Sequence, residues 1–168
     1  MNHTNVFVYG TLRFGFGLNH VLREGGAQFV GERTLEGFEL YDMGSYPCVR
    51  KVDDTTALVV GEVYRVDNEL LRQLDMIEGF RGTVGSRGNH YDRLSVATQD
   101  GLDVHLYVYP ETRNFKRWRR VEGGNYTLDR LARRDRERYA SIVLLRDITL
   151  GVIPVQPGFD VVSREGQR

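Results

Sequence analysis

Glu78 closes the run Leu74-Asp75-Met76-Ile77-Glu78-Gly79. Leu71, Leu74 and Glu78 fall at i, i+3 and i+7, so in a helix this carboxylate shares the apolar face. It also sits in the last turn before a glycine. Partial burial and the negative end of the helix dipole both raise the pKa of a carboxyl group there. A carboxyl with a raised pKa can take a proton from one nitrogen and return it to another. Asp75 lies off that face and is expected in solvent. By residue type alone, a glutamate at a helix end reads more simply as a surface group at a frayed terminus.

The second candidate is Val8-Tyr9-Gly10-Thr11-Leu12-Arg13, where a β-rich run ends at a glycine. Such a turn can aim several backbone N–H groups into one pocket, as donors to a carboxylate or carbonyl oxygen. Gly10 would let a ligand approach the backbone closely. The plain alternative is an ordinary exit from strand to loop. Other chemistries fail on spacing. Gly10 and Gly15 open a phosphate-loop pattern, but Phe16 and Gly17 stand where Lys and Ser or Thr are required. A dinucleotide fingerprint lacks its third glycine, with His20 in that place. The four histidines are scattered singly, with no metal-ligand spacing. Cys48 has no activating neighbour and reads as a buried, inert thiol.

Strand and helix signals frame these residues. Strands are predicted at Val6–Tyr9, Phe38–Tyr41, Ala57–Val66, Leu94–Thr98 and Val104–Tyr109. The last two are joined by a hairpin at Gln99-Asp100-Gly101. A short helix is expected at Asn19–Arg23. A second helix, from Asp67 as N-cap to Ile77, carries an apolar face of Leu70, Leu71, Leu74 and Ile77. A third runs from Thr127 to about Leu145, with a buried stripe of Leu128, Leu131, Tyr139, Ile142 and Val143. A further β-like piece, Ile148–Val155, precedes a frayed tail at Ser163–Arg168. The class is α+β.

Composition bounds the function. The 168 residues carry 23 basic and 23 acidic side chains, so net charge gives no case for a dedicated nucleic-acid or membrane-surface protein. No signal peptide or spanning segment is read, and the single cysteine fits a reducing compartment, so a cytoplasmic protein is expected. Charge is uneven locally. From Arg113 to Arg138 there are ten basic residues against four acidic ones, a local charge of +6. A solvated helix face with Arg–carboxylate pairs explains this run, and a docking surface for nucleic acid or another anionic partner is the secondary reading. Trp118 inside it reads as an anchor to the core, with stacking as the alternative.

Taken together, several segments resemble the γ-glutamylcyclotransferase-like family, in its Tyr-Gly-Thr-Leu branch of γ-glutamylaminecyclotransferases and avirulence-induced plant proteins. They are Tyr9-Gly10-Thr11-Leu12, Ser45-Tyr46-Pro47, Gly61-Glu62-Val63-Tyr64, Leu74 to Gly79, and Tyr91-Asp92-Arg93, in that order. The resemblance covers about Val6 to Tyr109 and implies a small, mostly antiparallel β-barrel flanked by helices. It divides the chain into a core at 1–112 and a basic helical extension with tail at 113–168, packed on the same domain. It implies an enzyme that releases 5-oxoproline from a γ-glutamyl amide, with Glu78 catalytic and Tyr9, Gly10, Thr11, Leu12, Arg13, Tyr46, Pro47, Tyr91 and Arg93 binding substrate. Within that set Tyr91 would hydrogen-bond near Glu78 and Arg93 would pair with a carboxylate. It implies no metal or other cofactor, a small-molecule γ-glutamyl substrate, no membrane partner, and a monomer or weak dimer. The competing reading is a non-catalytic module that binds a small ligand in the same pocket and uses the basic surface for an anionic partner.

Overall fold

The computed structural model of this chain describes residues 3–132. Its centre is β1 (His3–Val8), which pairs antiparallel with β5 (Leu58–Asp67) and parallel with β7 (Asp103–Val108). β2 (Gln28–Glu36) flanks β5, and β6 (Asp92–Ala97) forms a hairpin with β7, giving a five-stranded sheet in the order β2-β5-β1-β7-β6. A second sheet has the order β4-β3-β8, from β3 (Phe38–Asp42), β4 (Pro47–Lys51) and β8 (Arg119–Arg120). A backbone bond ties the two sheets together where Tyr109 N–H, just past β7, reaches the Val49 carbonyl of β4 at 2.8 Å; Val121 N–H, reaching the Leu40 carbonyl at 2.8 Å, extends the β3–β8 pairing. No ladder closes the described strands into a barrel. β7 stops pairing where Pro110 lacks a donor.

The period-two alternation of β1 sends its side chains into two cores. Val6 and Val8 pack with Tyr64, Val66 and the leucines of α2 (Asn68–Glu78). Phe7 packs on the opposite face with Leu35, Val63 and Leu106. Burying each such side chain contributes roughly 1.5–3 kcal/mol.

α2 has the ends its sequence predicts. Asp67 accepts from Leu70 N–H at 2.8 Å. Gly79 ends the helix in the left-handed conformation, φ 66°, and Phe80 N–H returns to the Asp75 carbonyl at 2.8 Å. Leu70, Leu71 and Leu74 are buried, but Ile77 is 44% exposed. It belongs to the rim of a pocket rather than to the core. α1 spans Asn19–Glu24, close to expectation.

Three strands lay outside the sequence reading, the two-residue β8 and the longer β2 and β4. β2 is a mostly half-buried strand at the sheet edge, bulged between Phe29 and Gly31, so it lacks a clean apolar alternation. β4 begins at Pro47, which an edge strand tolerates because no ladder donor is needed there. The third helix begins one residue early as α3 (Tyr126–Ala132), and the described part differs from expectation. Tyr126 occupies the core, stacked on Phe16 at 5.5 Å, and this turns Leu128 outward to 50% exposure. The predicted continuation to Leu145, the strand at Ile148–Val155 and the tail lie outside the described residues. Among the described residues no helix is long and apolar enough to cross a membrane.

Candidate active site

The Tyr9–Arg13 turn is held from below by a buried ion cluster. Arg13 is 1% exposed. Its guanidinium donates to Glu62 at 3.4 Å, to Glu32 at 3.0 Å, to the Val60 carbonyl at 3.3 Å and to Asn125 Oδ1 at 3.1 Å. Glu62 in turn accepts from Phe14 N–H and from the Tyr64 hydroxyl, both at 2.9 Å. Buried charges need this density of partners. Arg13 therefore supports the turn from inside and does not line the pocket above it. Glu62, read only as part of a strand, is the residue that anchors it.

Above the cluster the turn is pinned by Arg13 N–H to the Gly10 carbonyl at 2.9 Å and Leu18 N–H to the Thr11 carbonyl at 3.1 Å. Asn19 Nδ2 adds a bond to the Leu12 carbonyl at 2.9 Å. The N–H groups of Thr11 and Leu12 bond to no described residue. Gly10 is needed for a reason other than ligand approach. A Cβ there would strike the Pro47 ring, lying 2.8 Å from Cδ and closer still to Cγ.

Tyr9, Gly10, Thr11, Leu12, Tyr46, Pro47, Glu78 and Tyr91 all line one cavity of about 290 Å³. These residues come from the end of β1, the β3–β4 turn, the end of α2 and the entry to β6. Among the described residues Glu78 is its one acidic wall residue, and burial pushes its carboxyl up to about 7. The tyrosines around it explain why nothing offsets that burial. Tyr9 donates its hydroxyl to the Tyr107 carbonyl at 2.9 Å, and Tyr91 donates to the Pro47 carbonyl at 2.9 Å. Tyr107 donates to Asp75 at 2.7 Å. All three phenols face Glu78, are themselves raised by burial, and are committed to other acceptors. A carboxyl in apolar surroundings without donors favours its neutral form.

Asp75 corrects a sequence expectation. It is 19% exposed rather than solvated, and it accepts from Tyr107 and from Arg93 Nη1 at 3.0 Å. Arg93 accordingly lies outside the pocket wall, paired with Asp75 and lying over the Phe80 ring at 5.2 Å. Off the leucine face of α2 the Asp75 carboxylate is covered in part, by Arg93 from β6 and Tyr107 from β7.

Sequence reasoning missed His90, Tyr107, Ser45, Leu18 and the outward role of Ile77. Spacing in the sequence tests His90 only as a metal ligand. Its ring meets Tyr91 edge-on at 5.0 Å and Tyr46 at 5.9 Å. Burial first, and then the Arg113 guanidinium, hold its pKa below the ordinary histidine value. It is presented by the loop at 81–89, which buried Asn89 organises through Arg81 N–H at 2.9 Å and the Thr83 carbonyl at 2.8 Å. Cys48 is buried with its thiol pushed up to about 12 by burial, as an inert thiol should be. Among the described residues no His, Cys, Asp and Glu cluster could hold a metal ion.

The family profile described as γ-glutamyl cyclotransferase, AIG2-like, matches residues 6–128. The chain belongs to that family. The cyclotransferase match runs past the ion cluster to the start of α3, so it includes Asn125 as well as the pocket. The γ-glutamylcyclotransferase family protein YtfP of Escherichia coli is 36% identical over 104 residues, 62% of this chain and 80% of its own. The γ-L-glutamyl-butirosin B γ-glutamyl cyclotransferase of Niallia circulans is 33% identical over 109 residues, 62% of this chain and 66% of its own. The crystal structure of an AIG2-like protein from Mus musculus superposes with a TM-score of 0.62 at 23% identity, covering 75% of this chain and 89% of that one. That likeness supports the mixed α+β cyclotransferase fold.

In the described part of the basic segment, four arginines are occupied internally. Arg119 pairs with Asp42 and Asp129, and Arg120 pairs with Glu39. Arg113 donates to the Asn89 carbonyl at 2.8 Å, and Arg130 to the Tyr126 hydroxyl at 2.8 Å. Trp118 and Phe115 pack against the core. Arg133 to Arg138 lie outside the described residues.

Proposed function

We propose that this protein cleaves a γ-glutamyl amide by intramolecular aminolysis, releasing 5-oxoproline and an amine or amino acid. The observation that carries this reading is Glu78, an acidic wall residue of the cavity, held at about 7 by burial and accepting a hydrogen bond from no described residue. The substrate's α-ammonium gives one proton to the Glu78 carboxylate. Its freed nitrogen attacks the γ-carbonyl, a new C–N bond closes the five-membered ring, and the old C–N bond breaks. Two protons leave the attacking nitrogen in all. Glu78 delivers one to the departing nitrogen, and the other goes to solvent, from which the free amine takes it up. A single carboxyl near neutral pKa suits both transfers. Because attacker and target share one molecule, holding them in register contributes on the order of 7–11 kcal/mol. The Thr11 and Leu12 N–H groups are the donors we assign to the substrate's oxygens. The His90, Tyr46 and Tyr91 rings would then enclose the rest of the ligand.

The test is direct. The full chain is incubated with a panel of γ-glutamyl amines and γ-glutamyl amino acids, and 5-oxoproline is measured by mass spectrometry. Release from at least one member, lost in Glu78→Gln, is expected. No release from any member would sink the proposal.

A further inference from the structure

Asp75 stands one helical turn before Glu78, and residues three apart on a helix are surface neighbours. Its two carboxylate oxygens are both taken. Oδ1 accepts from the Tyr107 hydroxyl at 2.7 Å and Oδ2 from Arg93 Nη1 at 3.0 Å. The two ion-pair side chains are 19% and 20% exposed, so solvent screens them only in part. The Tyr107 ring lines the same cavity as Glu78, and its carbonyl accepts from the Tyr9 hydroxyl. Three elements, α2, β6 and β7, thus converge on the Asp75 carboxylate.

We propose that Asp75 and Arg93 are positioning residues for Glu78: their ion pair pins the Tyr107 ring in the pocket wall and cancels its own charge beside the proton shuttle. The role as shuttle rests on the function proposed above. The charge balance does not.

The sign of each charge fixes what its loss would do. A lone carboxylate beside Glu78 opposes its ionisation, and a lone guanidinium favours it. Held together, the two largely cancel. The other groups facing Glu78 are Tyr9 from the end of β1, Tyr91 from the entry to β6 and Tyr107 from β7, all kept neutral by burial. Cys48 on β4 is neutral for the same reason, and the pKa of His90 in the adjoining loop is held low. Arg113, which acts on His90, is bonded to the Asn89 carbonyl. Removing one member of the Asp75–Arg93 pair therefore leaves a net charge whose sign is that of the survivor.

The experiment is a carbon-13 NMR titration of the Glu78 carboxyl in the full chain, with the pH profile of kcat/KM measured alongside. Asp75→Asn keeps an acceptor for Tyr107 and leaves Arg93 uncompensated, so the Glu78 midpoint should fall. Arg93→Gln leaves Asp75 uncompensated, so the midpoint should rise. Each shift is expected to be on the order of half a pH unit or more. The double variant should return towards the wild-type value, and Arg93→Lys should stay close to it. The acidic limb of kcat/KM should move with the NMR midpoint in each case. Shifts of the same sign in both single variants, or no shift in either, with circular dichroism unchanged, would overturn the proposal. If Asp75→Asn does not fold, the contrast between Arg93→Gln and Arg93→Lys decides alone. A wild-type protein that turns over no γ-glutamyl compound would remove the functional reading, and the NMR titration would still decide the charge balance.

Discussion

Arg13 and Asn125 are hydrogen-bonded, Nη1 to Oδ1 at 3.1 Å, across 112 positions of sequence. The same Asn125 oxygen accepts from Leu128 N–H at 3.2 Å at the start of α3. One side chain therefore joins the turn under the pocket to the helix that follows β8. Asn125→Ala removes a bond to a buried guanidinium and is expected to destabilise the protein by roughly 1.5–3 kcal/mol. Urea denaturation measures it. KM should rise more than kcat falls, because the Tyr9–Arg13 turn loosens while Glu78 stays in place.

Glu78→Gln should reduce turnover by about 100-fold or more, the contribution of a general acid–base group. Stability should change in a pH-dependent way. The folded-state pKa of Glu78 is raised from 4.5 to about 7, so its favourable contribution is fully present below 4.5 and is lost as pH rises through about 7. The difference across that window is on the order of 3 kcal/mol. Glu78→Gln should flatten that part of the curve of melting temperature against pH and should be the more stable protein at pH 8. Parallel curves for the two proteins would remove the raised pKa from the account.

Gly10→Ala places a methyl group against the Pro47 ring, 2.8 Å from Cδ. The ring is rigid and belongs to the first residue of β4, so the turn must shift. A loss of roughly 1–3 kcal/mol is expected from such overpacking, together with a rise in KM. Thermal denaturation and steady-state kinetics measure the two effects.

Arg117 is exposed, with its guanidinium 4.3 Å from the Trp118 ring centroid. It is not among the residues that line the pocket. Arg117→Glu should leave turnover of a small γ-glutamyl substrate within a few-fold of wild type and change stability by about 0.5 kcal/mol or less. A collapse of turnover with the fold intact would bring the basic segment into the site.

The sequence by itself determined the elements whose signals are local. Asp67 and Gly79 bound α2 because a cap and a left-handed glycine act within a few residues. The β6–β7 hairpin follows from Asp100-Gly101 between two apolar runs. The position of Glu78 on the leucine face was likewise legible, because helical periodicity alone aligns it with Leu71 and Leu74. Contacts between distant segments left no such trace. Nothing local in Asp75 says that β6 and β7 will cover it, so its pairing with Arg93 and Tyr107 was read as solvent exposure. Nothing local in Arg13 says that Glu62, Glu32 and Asn125 converge beneath the turn and draw its guanidinium away from the ligand side. His90 was judged by metal-ligand spacing, yet its place in the pocket comes from the Asn89-braced loop and the stacking of Tyr46 and Tyr91. β2 and β4 escaped for a related reason. An edge strand buries only part of its surface, so its alternation is weak, and only its pairing with β5 or β3 defines it. Periodicity thus fixed which residue could titrate, and tertiary packing decided how deeply it is buried and which rings surround it.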